Sequence, residues 1–306
     1  MRALVAYNKF SGKNKALKKL SYICTQLKTK YEIVEHFKST GPKSLTEHIK
    51  TCGFIYDLIV VIGGDGSVNE VVNGIMNLER KPTVAFIPNG TCNDAATTLG
   101  LRKNLKKTMK KILDGSSSKV DIFMINDSYF IYGLAAGCLT EISYDAPHKI
   151  KKNVGRFAYY LQGLKSFNST KPISINLYNS DINISGEYSL FLALNTRYLA
   201  GFKLHRKKRI YLDDGNLRVT LIRRTTKIMN IIDFGMFLLF GEAYKHNISH
   251  FDLKEFSVDS QDLVGYNTDG EKFGKKKHID VKVIPQAIDL IISKRVKRRH
   301  ILNKNK

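Results

Sequence analysis

Three glycines, an acid and a hydroxyl fall within five residues at Gly63-Gly64-Asp65-Gly66-Ser67. Glycines so spaced let the chain curve tightly and let a phosphate approach the backbone. A helix starting directly behind such a loop offers N–H groups that no helical carbonyl satisfies, which suits the same anion. Asp65 is the odd member, because a carboxylate beside phosphates repels them unless it holds Mg²⁺ or accepts a hydrogen bond from a hydroxyl. The bland alternative is a glycine-rich turn with Asp65 as a helix cap. The spacing is neither GxGxxG nor GxxxxGK[ST], so the dinucleotide and P-loop patterns do not apply. A second loop, Pro88-Asn89-Gly90-Thr91-Cys92-Asn93-Asp94, gathers two amides, a hydroxyl and a carboxylate around one glycine. Such groups can contact a phosphate or a nucleobase, and Asp94 also suits a helix cap. Asp213-Asp214-Gly215 places paired carboxylates beside the basic stretch 203–209, which fits a hard cation or a hairpin turn with solvated acids. Asp269-Gly270-Glu271 between two strand-like runs reads the same way.

The elements around the loops decide where those groups point. Asp57-Leu58-Ile59-Val60-Val61-Ile62 has the unbroken β-branched content of a strand covered on both faces, and it runs straight into Gly63. Strands are also expected at 4–7, 31–37 and 83–87, and helices at 17–27, 44–52 and 68–78, from apolar residues at three- and four-residue intervals. This alternation implies a parallel sheet with helices on both faces, whose ligands bind outside the carboxyl ends of the strands. Both glycine loops fall at such ends. After about residue 120 the pattern changes to strand-like runs at 129–134, 173–177, 188–194, 217–221, 251–258, 264–267, 279–284 and 287–292. Helical spacing persists only at 154–167 and 229–244. The expected architecture is therefore two-domain: a Rossmann-like α/β nucleotide domain over 1–124 and a β-rich sandwich over 125–292, with the active site in the cleft between them.

Composition narrows the partners. The 306 residues carry 50 Lys and Arg against 27 Asp and Glu, a net charge of +23, which favours an anionic partner. Residues 272–306 alone hold twelve Lys and Arg against Asp280 and Asp289. No helix-turn-helix, zinc-finger or RNP-like segment accompanies the basic run, so nucleic acid is not the expected partner. An anionic bilayer would attract the same cations. No 18-residue apolar stretch exists, and 228–241 is too short to span a bilayer and carries Asn230 and Asp233. The amino-terminal run reads as a first strand rather than a signal peptide. Cys24, Cys52, Cys92 and Cys138 lack CxxC spacing and read as reduced thiols of a cytosolic protein. His246 and His250 lie four apart without a third ligand nearby, so zinc is not expected.

GGDGSVNEVVNGI at 63–75 and PNGTCNDAA at 88–96 together resemble the lipid kinases with a diacylglycerol kinase catalytic domain, which include the sphingosine kinases. The family's GGDGT becomes GGDGS here, keeping the hydroxyl at Ser67, and Asn69-Glu70 match the NE that follows. Of its GTxNDFAR, Gly90, Thr91, Asn93 and Asp94 match, while Ala95 and Thr97 stand where Phe and Arg are usual. Asn8 through Lys13 resembles NPxSGK, with Lys9 replacing proline. Gly155 through Tyr160, followed by Gly163-Leu164, resembles the GRLAY helix, 213–217 resembles DDGxL, and 269–271 is the late DGE.

The resemblance implies transfer of the ATP γ-phosphoryl group to the hydroxyl of diacylglycerol, giving phosphatidic acid. A sphingoid base or a prenyl alcohol is the alternative acceptor. An NAD kinase-like enzyme shares the GGDG loop and the two-domain plan but not the GTxND segment. Nucleotide contacts implied are Asn8, Lys13, Gly63, Gly64, Gly66, Ser67, Glu70, Gly90, Thr91, Asn93 and Asp94, with Asp65 at the Mg²⁺–nucleotide. Glu271 is implied as the general base, and Asp213 and Asp214 as holders of a second Mg²⁺, either one being the direct ligand. By the same resemblance the basic tail 293–306 packs back on the first domain and a homodimer is expected. The lipid would be met at the inner face of the membrane by a cytoplasmic, peripherally bound enzyme.

Overall fold

The computed structural model describes residues 1–8, 15–90, 92–101, 104–138, 171–196, 198–199, 202–203, 209–241 and 244–302. Lys13, Thr91, the GRLAY-like segment and most of the basic stretch 203–209 lie outside these residues. The chain forms two compact units, one comprising Met1–Ile122, Tyr211–Asp214 and Ile284–Lys306, the other Phe123–Ile210 and Gly215–Val283.

In the first unit strand and helix alternate as β1 (Arg2–Tyr7), α1 (Lys15–Leu27), β2 (Ile33–Lys38), α2 (Ser44–Cys52), β3 (Leu58–Gly63), α3 (Asp65–Ile75) and β4 (Thr83–Pro88). The short α4 (Asp94–Thr98), α5 (Leu105–Leu113) and the start of β5 (Ser117–Ile125) follow. The strands are parallel in the order β2-β1-β3-β4. The end of a 21-residue strand, β15 (Glu271–Ile291), joins beyond β4 through Leu290 opposite Val84. Ile59, Val60, Val61 and Ile62 are wholly buried, as a strand covered on both faces requires. Strand order reverses between β1 and β3, so the crevice outside their carboxyl ends is the switch point at which open α/β sheets bind ligands.

The second unit contains β6 (Ser128–Phe130), β7 (Gly133–Gly137), β8 (Ile173–Tyr178), β9 (Asn183–Leu194), the two-residue β10 (Tyr198–Leu199) and β11 (Phe202–Lys203), and β12 (Leu217–Arg223). After it come α6 (Lys227–Phe240), β13 (Ile248–Leu253) and β14 (Glu255–Thr268). β7 and β8 each pair with both β9 and β14, all antiparallel, which closes a four-stranded ring. Phe123, Phe130, Phe191, Phe256 and Tyr266 pack in one buried cluster of this unit. A second cluster, with Leu190, Leu192, Leu194 and Ile222 from the strands and Phe234 and Phe237 from α6, lies on another face.

The expected pair of separate architectures is not what forms. Strand pairing is continuous through thirteen strands, with the closed ring of four at one part and nine more strands attached. A sandwich needs two sheets stacked face to face. Here β8 bridges β9 to β14, so the sheet curls shut, and β15 pairs with β14 at its start and β4 at its end. A Rossmann-like domain and a sandwich divided by a cleft is therefore the wrong description of the strands.

Candidate functional site

β3 and β4 are adjacent and in register, Gly63 lying opposite Pro88, so their carboxyl ends deliver both glycine loops to the same edge of the sheet. Asn89 N–H donates to the Gly63 carbonyl at 2.8 Å. The loops then touch: a Cβ on Gly90 would sit 2.6 Å from the Gly64 Cα, and one on Gly64 would sit 3.3 Å from the Gly90 Cα. At Gly90 only glycine permits this approach, because the colliding atom is backbone and has nowhere to go, while at Gly64 a side chain would fit only tightly. Gly64 precedes α3 as its N-cap, so no cap side chain fills the space before the first-turn N–H groups.

Asp65 sits in that first turn, half-buried, and its Oδ1 accepts the Ala95 N–H at 3.1 Å. The carboxylate thus fastens the first loop to the start of α4 behind the second. Asn93, buried and left-handed at φ 58°, caps the second loop on itself: its Oδ1 accepts the Gly90 N–H and its Nδ2 donates to the Gly90 carbonyl, both at 2.8 Å. Thr97 Oγ1 and N–H both donate to the Asn93 carbonyl. Asp94 is buried at the first position of α4, and Ser67 is buried in α3. Asn8 follows β1, its N–H reaching the Ile62 carbonyl at 3.4 Å, which places it beside β3 at the switch point. The structure therefore brings together Asn8, Gly63, Gly64, Asp65, Gly66, Ser67, Gly90, Asn93 and Asp94. Glu70, further along α3, accepts the Leu45 N–H with its carboxylate at 3.1 Å, in the first turn of α2, whose N-cap Lys43 supplies no capping bond.

Sequence reasoning missed Lys19. From α1 its Nζ donates to Asn89 Oδ1 at 2.9 Å, placing a cation on the second loop. Only the helical register of α1 hinted at it, and many lysines share such positions. It also missed the work done by Asp269. Asp269 (φ 50°) and Gly270 (φ 82°) form the two-residue turn between β14 and β15, the left-handed pair that such hairpins demand. The buried Asp269 carboxylate accepts N–H bonds from Ile131 and Tyr132 at 2.9 Å and Gly133 at 3.2 Å. Glu271 opens β15 opposite Thr268 and is exposed. Asp213 is buried and its Oδ1 accepts the Leu302 N–H at 2.8 Å, while Asp214 is half-buried. Among the described residues no group of three His, Cys, Asp or Glu gathers as a ready-made metal cage.

The family profile of the diacylglycerol kinase catalytic domain matches residues 2–125. A diacylglycerol kinase of Staphylococcus saprophyticus is 33% identical over 294 residues, 92% of this chain and 94% of that protein. The chain belongs to the diacylglycerol kinase family. A diacylglycerol kinase of Staphylococcus epidermidis is 32% identical over 98% of this chain and 95% of its own length, so the likeness extends well beyond the catalytic-domain match. The solved structure of a diacylglycerol kinase from Bacillus anthracis shares the fold, with a TM-score of 0.77 at 23% identity, covering 96% of this chain and 98% of that one. Another Bacillus anthracis structure gives 0.82 at 24% identity over 96% of both chains. No described helix is long and apolar enough to cross a membrane. Both touching loops lie within the residues that the family profile matches.

Proposed function

We propose that this chain transfers the γ-phosphoryl group of ATP to the hydroxyl of diacylglycerol at a membrane surface. Membership of the diacylglycerol kinase family implies ATP- and Mg²⁺-dependent catalysis in general. The observation that carries the reading is the backbone contact of Gly64 with Gly90 at the carboxyl ends of adjacent parallel strands. Phosphoryl transfer asks the protein for positioning and charge neutralisation more than for covalent chemistry. Gly63, Gly64, Gly66 and Ser67, with the α3 N-terminus, cradle the phosphates in this reading. Asp65 takes the Mg²⁺–nucleotide contact, and Asn8, Lys13, Thr91, Asn93 and Asp94 line the nucleotide. Glu70 supports the cradle through α2 rather than by direct contact.

Mg²⁺ binds through one or two carboxylates and keeps several waters. The adjacent Asp213 and Asp214, with no third acid gathered among the described residues, match that habit better than a calcium-like cage. They would hold a structural ion, and Asp65 the ion that neutralises phosphate charge during transfer. Glu271 is the proposed base. Its exposure leaves the carboxylate open to an incoming hydroxyl, while Asp269 fixes the turn that presents it.

Labelled ATP offered with diacylglycerol, a sphingoid base, a prenyl alcohol, NAD⁺ and a sugar phosphate tests the assignment. Diacylglycerol should be labelled, and Glu271→Gln should lower kcat about 10²–10⁴-fold while sparing ATP binding. Asp65→Ala should damage both. Labelling of NAD⁺ and of no lipid would overturn the function, and full activity in Glu271→Gln would overturn the base.

A further inference from the structure

α6 buries one face and leaves an apolar stripe on the opposite one. On the buried face Phe234 and Phe237 pack against β9, β12 and β13, with the buried polar residues Asn230 and Asp233 beside them. The other bears Ile228 (74% exposed), Ile232 (47%) and Leu239 (59%), at intervals of four and seven residues that make a single stripe, and Phe240 (50%) extends it at the carboxyl end. Of the nine large exposed hydrophobics among the described residues, Met1 and Ile33 share a backbone hydrogen bond, and four sit on this one helix. Grouping of this kind marks a surface that is meant to be covered.

Charge selects the occupant. The helix has a single acid, Asp233, which is buried and turned inward. Arg223 and Arg224 stand four and three residues upstream of it in the sequence, Lys227 is its first residue, and beyond Glu242 the exposed Lys245 follows, so cations outnumber acids at its two ends. An apolar stripe bracketed by cations matches an anionic bilayer interface, with side chains among acyl chains and cations at headgroups. Four side chains of this size offer a few hundred Å². A stable protein interface needs about 800 Å² from each partner, and two copies would bring the same cations face to face. We infer that the outer face of α6 inserts into the headgroup region of an anionic bilayer and docks the enzyme there. The inference deepens the proposed function, because it rests on the reading that the acceptor is a membrane lipid.

The sequence has no tryptophan, so Ile232→Trp gives a single reporter that preserves the apolar face. With phosphatidylglycerol–phosphatidylcholine vesicles its emission should shift to the blue and be quenched by brominated acyl chains. Emission unchanged by vesicles would overturn the inference. The fourfold variant Ile228→Gln, Ile232→Gln, Leu239→Gln and Phe240→Gln should bind the vesicles at least about tenfold more weakly. It should still phosphorylate water-soluble short-chain diacylglycerol like the wild type. Wild-type vesicle affinity in that variant, or vesicle-independent loss of a dimer, would overturn it. If the wild type docks through α6 but labels no lipid, the docking face stands and the proposed function fails.

Discussion

Asp269 satisfies three buried backbone donors with one carboxylate: Ile131 and Tyr132 between β6 and β7, and Gly133 at the start of β7. A residue beside the proposed base is thus committed to architecture. Asp269→Ala would strand the three N–H groups and release the turn, costing about 3 kcal/mol of stability. The melting midpoint should fall by several degrees, as calorimetry would record. Because Glu271 follows two residues later, kcat should fall with it while nucleotide affinity holds; an unchanged kcat would detach Glu271 from that turn. Asp65, Glu70 and Asp213 likewise bond to backbone N–H groups of other segments. Types and spacing revealed these acids in the sequence, but not their partners, which lie 25 to 89 residues away along the chain.

At the scale of elements, α6 is fixed from behind by a polar knot around the buried Asp233. Burial pushes the Asp233 carboxyl up, but hydrogen bonds from Tyr244, Asn247 and His246 outweigh it and leave the group below its ordinary value. The same bond pushes the Tyr244 hydroxyl up to about 12. A depressed carboxylate stabilises the fold at pH above its unfolded pKa, about 3.9, and that contribution disappears as pH falls through the folded value. Asp233→Asn sets an amide donor against the Asn247 donor and should cost about 2 kcal/mol near neutrality. Denaturation at pH 7 and pH 3 should show the gap from wild type shrinking in acid.

Elements were legible where local pattern decides them. The 44–52 helix and the strands at β1, β3, β4 and β12 fall where apolar spacing puts them. Three failures have long-range causes. The run 129–134 reads as one strand but breaks at Ile131-Tyr132, where Asp269 takes the N–H groups that would have paired with a neighbouring strand. The runs 279–284 and 287–292 read as two strands around Pro285-Gln286. They are one, because left-handed Gln286 (φ 49°) makes a kink whose N–H is satisfied by the buried Asp121. Closure of the ring depends on β8 pairing with two strands, and periodicity within one strand carries no information about how many neighbours it has.

For the whole molecule, the net charge of +23 makes two opposite demands on salt. Self-repulsion destabilises a compact cation, so screening should raise its stability. Attraction to an anionic surface is screened by the same ions and should weaken. The terminal helix α7 (Lys294–His300) supplies part of this charge: Lys294, Arg295, Arg298 and Arg299 are exposed. Lys297 is not equivalent, since its Nζ donates to the Ser117 carbonyl at 3.0 Å and so helps seat the helix. Neutralising the four exposed cations to Gln while keeping Lys297 therefore removes charge without removing that anchor. At about 1 kcal/mol per cation near the membrane, affinity for anionic vesicles should drop by tenfold or more at low ionic strength. The loss should narrow as salt rises, because screening has already removed what the substitution removes. Thermal stability of the same variant at low salt should equal or exceed that of the wild type. The α6 variant should behave oppositely in one respect, binding more weakly at every salt concentration with the slope preserved. Vesicle sedimentation across a salt series separates the two contributions, and an unaltered slope in the α7 variant would show that these four cations do not face the membrane.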